Sequence, residues 1–315
     1  MAITGTSTAG ATTSLGTNAL GIVFDRNVIH SLQPNLYFEQ LADVVMVESG
    51  NNTSRFAMFN QIANASVTTL SEASNPTGVA VSVTVNDITP TQYGISVHMS
   101  DLVVLTAFVD LITSSAVEVG YAVARKIDSV IQTTANAGTN VYYAGGKASR
   151  AALGAADLID VGMILKGVQK LVKGAAPTFE DGQYRMIADP DTIFDLKGNT
   201  SIGQWIDVSK YAQPDKILNG EIGSLHGTRI MQSPNVDTFS STVTVHPALL
   251  AGKGGFRVAY WLPGKVKNYI IPPEDATIAN PLGQTGSVGA KVNLGASRTQ
   301  EARLVRLEQA VSTSL

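Results

Sequence analysis

A long run of apolar residues at helical spacing constrains this fold more than any other stretch. From Ala107 to Thr134 the apolar positions are Val109, Ile112, Ala116, Val119, Val123, Ile127 and Val130, and the polar ones between them include Asp110, Ser114, Glu118, Arg125 and Gln132. Steps of three and four predict one α-helix with a continuous apolar face. About 28 residues at 1.5 Å each would make a rod of about 40 Å. Such a rod suits a structural axis onto which other layers dock, although an ordinary core helix would show the same spacing.

The ends of this helix carry recognisable signals. Ser100 and Asp101 are typical of a helix start, and Asn136 and Gly138 are typical of a helix end.

The composition limits what kind of protein this is. Only 15% of the 315 residues are charged, against about 25% in average soluble domains, and the net charge is −3. So few charges leave much apolar surface, which we expect neighbouring subunits to cover. The near-neutral balance gives no basic field of the kind that nucleic-acid-binding domains carry. No apolar run reaches the roughly 18 residues of a membrane-spanning helix, the first residues do not resemble a secretory signal, and cysteine is absent.

The first 100 residues fall into three segments with different sequence patterns. Residues 1–20 are mostly Thr, Ser, Ala and Gly, so we expect a tail or an arm that becomes ordered on a neighbour. Residues 22–45 show helical spacing that Pro34 would break in two. Between residues 48 and 100, alternating patterns predict strands at 54–59, 79–85 and 92–99. With a polar, turn-rich segment between them, they predict a long ribbon that must lie on another surface, because an isolated two-stranded ribbon is only marginally stable.

The rest of the chain alternates between short helices and strands. We expect helices at 157–172 (apolar positions Ile159, Met163, Leu165, Val168 and Val172) and 192–196, several turns at 207–227, strands at 184–188 and 228–233, and two further strands within 241–261. This order predicts an α/β domain at 150–265. Strands at 266–271, 288–297 and 301–311 follow, and the last two are expected to pair antiparallel, although the propensities of 301–311 would also fit a helix.

No catalytic, cofactor-binding or metal site emerges from the sequence. His30, His98, His226 and His246 are scattered without metal-ligand spacing, and no esterase elbow occurs. The AGGKAS segment lacks the first glycine of a phosphate loop, since Val141 stands there, so Lys147 is expected at a surface or interface. The GKGG segment at 252–255 is interpreted as a turn between strands. Asp189, Asp191 and Asp195 do not match a calcium loop, and Asp191 is expected to cap a helix.

Several segments together resemble one known family. They are LQPNLYFEQLA (32–42), QYGISVHMSDL (92–102), GTNVYYAGGKASRAAL (138–153), YRMIADPDTIFDLKG (184–198) and YAQPDKILNGEIGSLHGTRIMQSPN (211–235). In this order they are similar to segments of the N4-type major capsid proteins of tailed bacteriophages, over roughly residues 25–310. The low-complexity N-terminus does not contribute to the resemblance.

This resemblance implies an α+β, HK97-like capsid fold. It implies an N-terminal arm at 1–25, a peripheral domain with the spine helix at 26–48 and 100–149, an extended β-ribbon (the E-loop) at 49–99, an axial domain at 150–265, and C-terminal strands of the peripheral domain at 266–315. It further implies a non-enzymatic shell protein of the virion, assembled in the host cytoplasm as hexamers and pentamers of itself. A portal, decoration or scaffolding proteins and packaged double-stranded DNA would be its partners, with no membrane and no cofactor.

Two other functions remain open at this point. An encapsulin-like cellular compartment would use the same fold around cargo enzymes. An α/β hydrolase with a ribbon lid is less favoured, because the sequence shows no cluster of nucleophile, acid and base.

Overall fold

The computed structural model describes residues 37–48, 50–60, 62–70, 72, 75, 77–107, 110–199, 224–261, 266–275 and 280–312. In these residues the helices are α1 (Asp101–Thr106), α2 (Leu111–Asn136), α3 (Val161–Lys173) and α4 (Pro190–Gly198). The predicted arm at 1–25, His30 and most of the turns expected at 207–227 lie outside the described residues.

The strands form two large sheets and a ribbon. They are β1 (Asp43–Val47), β2 (Ser54–Phe59), β3 (Val83–Ile88), β4 (Thr91–Ser100), β5 (Val141–Tyr143), β6 (Tyr184–Ala188), β7 (Ser224–Leu225), β8 (Thr228–Gln232), β9 (Phe239–Ser240), β10 (Thr244–Ala251), β11 (Phe256–Trp261), β12 (Val266–Ile271), β13 (Thr285–Arg298) and β14 (Leu304–Gln309). The five-stranded sheet has the order β1-β11-β13-β12, with β4 also on β13. The seven-stranded sheet has the order β5-β14-β10-β6-β8-β7, with β9 on β10. The two-stranded ribbon is β2-β3.

Helix α2 is the predicted long helix, but it begins later than expected. The Asp110 carboxylate accepts hydrogen bonds from the backbone N–H groups of Ile112 and Thr113, each at 3.1 Å. This cap satisfies free N–H groups of the first turn, so a new helix starts here rather than at Ala107. Ser100 does begin a helix, as its signal indicated, but that helix is the six-residue α1. The expectation of one uninterrupted helix from Ala107 was therefore wrong.

The apolar face of α2 packs on the five-stranded sheet. Val119, Val123 and Ile127 are buried as predicted, and Ile131 and Ala135 extend the same stripe. The sheet contributes alternate residues of β13 to this core: Val288, Ala290, Val292 and Leu294. Gln132 was expected on the polar face, yet it is fully buried. With its amide oriented to satisfy both of its polar atoms, it donates to the Asn235 carbonyl at 3.0 Å, which explains its burial.

Strand β13 organises the five-stranded sheet. Its residues 287–292 pair antiparallel with both β4 and β12, so these two strands flank it on opposite edges. The strand predicted at 92–99 is therefore confirmed, but it pairs with β13 rather than with the ribbon. The strand predicted at 266–271 is also confirmed, and its six side chains are exposed.

Three local predictions were wrong. The helix expected up to residue 45 is, from Phe38, a short 3-10 turn followed by β1, because β1 pairs in parallel with β11 and this tertiary pairing overrides the helical spacing. The strand expected at 79–85 starts only at Val83. Strands β13 and β14 both exist but do not pair with each other. A 3-10 turn at Glu301–Arg303 separates them, and β14 joins β10 and β5 in the other sheet.

The helices and strands expected in the α/β domain are present, but their first and last residues differ from those predicted. Helix α3 starts at Val161, because the Asp160 carboxylate caps it by accepting from the Met163 N–H at 2.6 Å. Met163 is buried as predicted, whereas Leu165 and Val172 are exposed and Ile164 and Leu171 take their places in the core. Strand β11 lies in the five-stranded sheet and β14 lies in the seven-stranded one.

Candidate assembly surfaces

The base of the ribbon is fixed to the body of the protein. Phe56 of β2 and Ile88 of β3 are buried in a small core with Val47, Ala259 and Trp261 of the five-stranded sheet. The Trp261 indole N–H donates to the Asn51 carbonyl at 2.7 Å. The ladder between β2 and β3 runs from the Ser54–Ile88 pair to the Phe59–Val83 pair. The sheet therefore sets the direction in which the ribbon leaves the body.

Beyond its base the ribbon exposes large apolar side chains. Phe59 is 78% exposed, Val67 77% and Leu70 72%. The valines at 79, 81, 83 and 85 are each about half exposed. A soluble monomer rarely presents so many apolar side chains on one narrow element. The ribbon is thus the strongest candidate for a contact surface in the described part of the chain.

A second apolar surface lies at the other end of the sheet. Helix α1 exposes Leu102, Val103 and Leu105, and Leu282 is exposed nearby. The Asp101 N–H donates to the Gln284 carbonyl at 2.9 Å, which holds α1 against the start of β13. Strand β4 has ten residues, so this surface is about 30 Å from the ribbon base. Two apolar surfaces at opposite ends allow one copy to contact two others.

A buried ionic network joins the segment that follows β5 to strand β14 of the seven-stranded sheet. Glu308 of β14 is completely buried, and the Arg150 guanidinium donates two hydrogen bonds to its carboxylate, each 2.7 Å long. Arg306 Nε donates a third, at 2.6 Å, and the Phe239 ring lies 3.8 Å from the Arg150 guanidinium. Burial alone would raise the pKa of Glu308, but the two arginines outweigh it and hold that pKa below its ordinary value. The network fixes the shape of this sheet.

A buried carboxylate of α2 anchors residues 37–38. Asp128 of α2 is 1% exposed, and its Oδ1 accepts the Phe38 N–H at 2.9 Å. Burial raises the pKa of Asp128 to about 6; the backbone N–H groups of Phe38 and Tyr37 lower it and the charge of Glu39 raises it. Burial also raises the pKa of the neighbouring Tyr260 hydroxyl. These contacts couple the protonation of one helix carboxylate to the position of residues 37–38.

One histidine lies beside two carboxylates. Asp189, Asp191 and His246 offer ligand atoms within 4.8 Å of one another. His246 Nδ1 is 2.6 Å from Asp189 Oδ2, and burial raises the pKa of Asp189 while this hydrogen bond and the charge of His246 lower it. Such a hydrogen-bonded pair at a helix start needs no metal ion to explain it. Asp189, rather than the predicted Asp191, is the N-cap residue of α4, and Asp195 instead accepts the Ser312 N–H at 2.9 Å.

The other residues singled out in the sequence lie apart from one another. Lys147 is partly exposed, with Nζ 3.7 Å from Asp157 Oδ2. The GKGG segment forms the turn between β10 and β11, as predicted. His98 contacts Ser96 on β4, and His226 lies in the tight turn between β7 and β8. The structure brings none of these together.

Sequence reasoning missed the residues that join distant segments of the sheets and that hold residues 37–38. The helical pattern did not single out Asp128, and Glu308 lay in a stretch that also fitted a helix. The sequence did offer a signal for Asp128, because this carboxylate falls within the apolar face of the predicted helix. No local signal pointed to the contact between Arg150 and Glu308, which are 158 positions apart.

Comparisons with known proteins identify a matching family. A family model described as phage capsid protein matches residues 83–280. No curated protein sequence matches the chain. No helix in the described part of the chain is long and apolar enough to cross a membrane.

Solved capsid structures share the fold at low sequence identity. The capsid of Ralstonia phage GP4 superimposes with a TM-score of 0.74 at 13% identity, covering 94% of this chain and 96% of that one. The capsid protein of cyanophage Pam1 gives 0.73 at 12% identity, with 99% and 100% covered. The capsid of Helicobacter pylori bacteriophage KHP30 gives 0.72 at 13% identity, with 94% and 97% covered. The α+β fold is therefore the HK97-like fold of these capsids.

Proposed function

The chain belongs to the phage capsid protein family, and from this premise we propose how its surfaces build a closed shell. It is a major capsid protein, a structural component of the virion rather than an enzyme. We propose that its copies join as hexamers and pentamers into an icosahedral shell that encloses double-stranded DNA. The division into arm, peripheral domain, ribbon and axial domain given above is part of this proposal.

The exposed ribbon is the observation that carries the proposal. Phe56 and Ile88 hold its base in the core. The side chains of Phe59, Val67 and Leu70 are exposed and belong to no described core of the same copy. Burying each of these side chains fully would contribute about 1.5–3 kcal/mol. Since every copy carries one ribbon, every copy would gain this burial from a neighbour, and several such contacts add their strength across a shell.

The charge balance supports a container for DNA. The net charge is −3, so the subunit as a whole does not attract phosphates strongly. A strongly basic wall would release many counterions on binding DNA and would hinder movement of the genome during packaging and release. We propose contacts with DNA that do not depend on its sequence, and a portal, scaffolding or decoration proteins as further partners. Assembly in the host cytoplasm belongs to the same proposal.

Electron microscopy of the purified protein tests the proposal. Negative staining should show closed shells or capsomer rings of uniform size. Particles purified from infected or expressing cells should then contain nuclease-protected DNA, which an ultraviolet spectrum and a gel would reveal. Shells filled with a cargo protein and without DNA would instead favour a cellular compartment. A protein that stays monomeric at all salt and protein concentrations, with and without scaffolding and portal partners, would contradict the proposal.

A further inference from the structure

Two buried polar atoms near the start of α4 lack a hydrogen-bond partner. His246 of β10 is 4% exposed and Gln309 of β14 is 0% exposed. Within the described part of the chain, neither His246 Nε2 nor Gln309 Oε1 forms a hydrogen bond. The contact with Asp189 satisfies only the other ring nitrogen of His246, Nδ1. Because a buried polar atom without a partner is costly, both atoms indicate an occupant that the protein chain itself does not supply.

The fold brings these two atoms to the same place. His246 and Gln309 lie directly opposite each other in the antiparallel pairing of β10 with β14, so their side chains leave the same face of the sheet. The Gln309 amide nitrogen donates to the Thr192 hydroxyl at 3.1 Å, and Thr192 belongs to the first turn of α4. The His246 imidazole contacts Asp189, the N-cap residue of the same helix. Both unpartnered atoms therefore lie where the sheet meets the first turn of α4.

Two carboxylates at this place define the charge of the occupant. Asp189, Asp191 and His246 each offer one ligand atom, and these atoms lie within 4.8 Å of one another. Two ionised carboxylates so close together repel each other, and one imidazolium can offset only one of the two charges. An anion would add to this repulsion, whereas a divalent cation offsets both charges. Imidazole nitrogen and carboxylate oxygen are together the ligands that zinc binds in proteins, at about 2.0–2.2 Å.

We propose that His246, Asp191 and Gln309 bind one divalent transition-metal ion such as zinc, with Asp189 holding the imidazole in position. An ionised carboxylate only accepts hydrogen bonds, so Asp189 keeps the proton of His246 on Nδ1 and leaves Nε2 free to bind the metal. Metal-binding histidines commonly have such a carboxylate partner. Asp191 is only partly buried, so its side chain can move towards the ion.

This ion would join three elements of the seven-stranded sheet and its helix layer. His246 lies on β10, Gln309 on β14 and Asp191 on α4, so the bound metal ties the two strands to the helix. Because an ion that binds only the folded chain stabilises it, the site would make the stability of the subunit depend on the metal. The inference concerns the single copy and does not depend on the proposed function.

Metal binding by the full-length chain provides the test. The purified protein is stripped with a chelator, dialysed, and then given zinc alone or magnesium alone, and the bound metal is measured by mass spectrometry. We expect one zinc ion per chain and little magnesium, because imidazole is a poor ligand for magnesium. Saturating zinc should raise the melting temperature by about 4 °C or more. A chain that binds no zinc would overturn the proposal, and water would then bridge the two unpartnered atoms.

Variants separate this site from other groups that bind zinc. Asp191→Asn changes a partly buried side chain, so the metal-free variant should keep its circular dichroism, weaken zinc binding at least tenfold and lose the rise in melting temperature. His246→Gln should lose zinc binding as well. The matched control is His98→Gln, which removes an exposed histidine of β4 and should bind zinc normally. Equal zinc binding by Asp191→Asn and the unchanged protein would contradict the proposal, because other groups would then hold the metal.

Discussion

The backbone N–H of Phe38 donates to Oδ1 of Asp128 at 2.9 Å, which ties residues 37–38 to the long helix α2. The second carboxylate oxygen, Oδ2, is buried without a hydrogen-bond partner in the described part of the chain. A half-satisfied buried carboxylate is costly when it is charged, and burial accordingly raises its pKa to about 6. The contact that holds residues 37–38 on α2 is therefore sensitive to pH.

Replacing Asp128 by asparagine should make the subunit more stable at neutral pH. The folded pKa is raised above the unfolded value of 3.8, so the stabilising protonated form is fully present below that value and is lost as pH rises through about 6. Above pH 6 the charge costs up to about 3 kcal/mol, which Asp128→Asn would remove. Urea unfolding of the disassembled subunit at pH 4.5 and 7.5 measures this. The stability difference between the two proteins should grow with pH, and an exposed control, Glu72→Gln, should show no such growth.

The buried Glu308 should behave in the opposite way. Its folded pKa is lowered, so its contribution to stability is present above the unfolded pKa and disappears as pH falls through the folded one. Glu308→Gln removes the charge that Arg150 and Arg306 share and should cost about 3–5 kcal/mol at pH 7. The matched control is Glu180→Gln, since Glu180 pairs with Lys253 at 3.2 Å but is 90% exposed. That change should cost less than about 1 kcal/mol, and equal losses in the two variants would contradict the assigned role of Glu308.

Some of this architecture could be predicted from sequence and some could not. Helix α2 and strands such as β6 and β12 follow from local periodicity, which depends on residues near one another. The start of α2 could also have been found, because Asp110 is a good capping residue, but the continuous apolar spacing upstream hid it. The separation of β13 from β14 was not predictable in this way, because their partners, β10 for β14 and β4 for β13, are distant in sequence.

The contact surfaces also differ in how far the sequence could predict them. The alternation around Val83 indicated a ribbon, and the low charge indicated that a neighbour covers it. The anchoring contacts of Asp128 and Glu308 needed the fold, because each joins segments about 90 or more positions apart. The exposed leucines of α1 precede the long helix predicted from Ala107 and were not part of its apolar face, so the second apolar surface appeared only in the structure.

A close approach at Gly295 should control how firmly the ribbon base is seated. A methyl group there would lie 2.5 Å from the Thr89 carbonyl oxygen and 2.6 Å from Ile88 Cγ2, so something must shift. Gly295→Ala should therefore loosen the ribbon and destabilise the subunit by about 1–3 kcal/mol. Faster chymotrypsin cleavage after Phe59 would report the loosening. The control, Gly120→Ala in α2, meets no atom within 4 Å and should stabilise the subunit by up to about 1 kcal/mol.

The apolar tip of the ribbon should be required for assembly and dispensable for folding. Phe59 is 78% exposed in the single copy, so Phe59→Ser removes little packing from the subunit itself, and its melting temperature should change by less than about 2 °C. If a neighbour buries the ring, the same change should weaken each contact by about 3 kcal/mol, more than a hundredfold in affinity. Because each copy in a shell carries one such contact, shells should be lost, which sedimentation and electron microscopy would detect.

A second exposed phenylalanine separates this effect from a general loss of apolar surface. Phe194 on α4 is 65% exposed and lies away from the ribbon, so Phe194→Ser makes the same chemical change elsewhere. We expect normal shells from Phe194→Ser and dispersed subunits from Phe59→Ser at the same protein and salt concentrations. Normal assembly of both variants would show that the ribbon tip is not buried in the shell. Failure of both would show that total apolar surface matters more than its position on the ribbon.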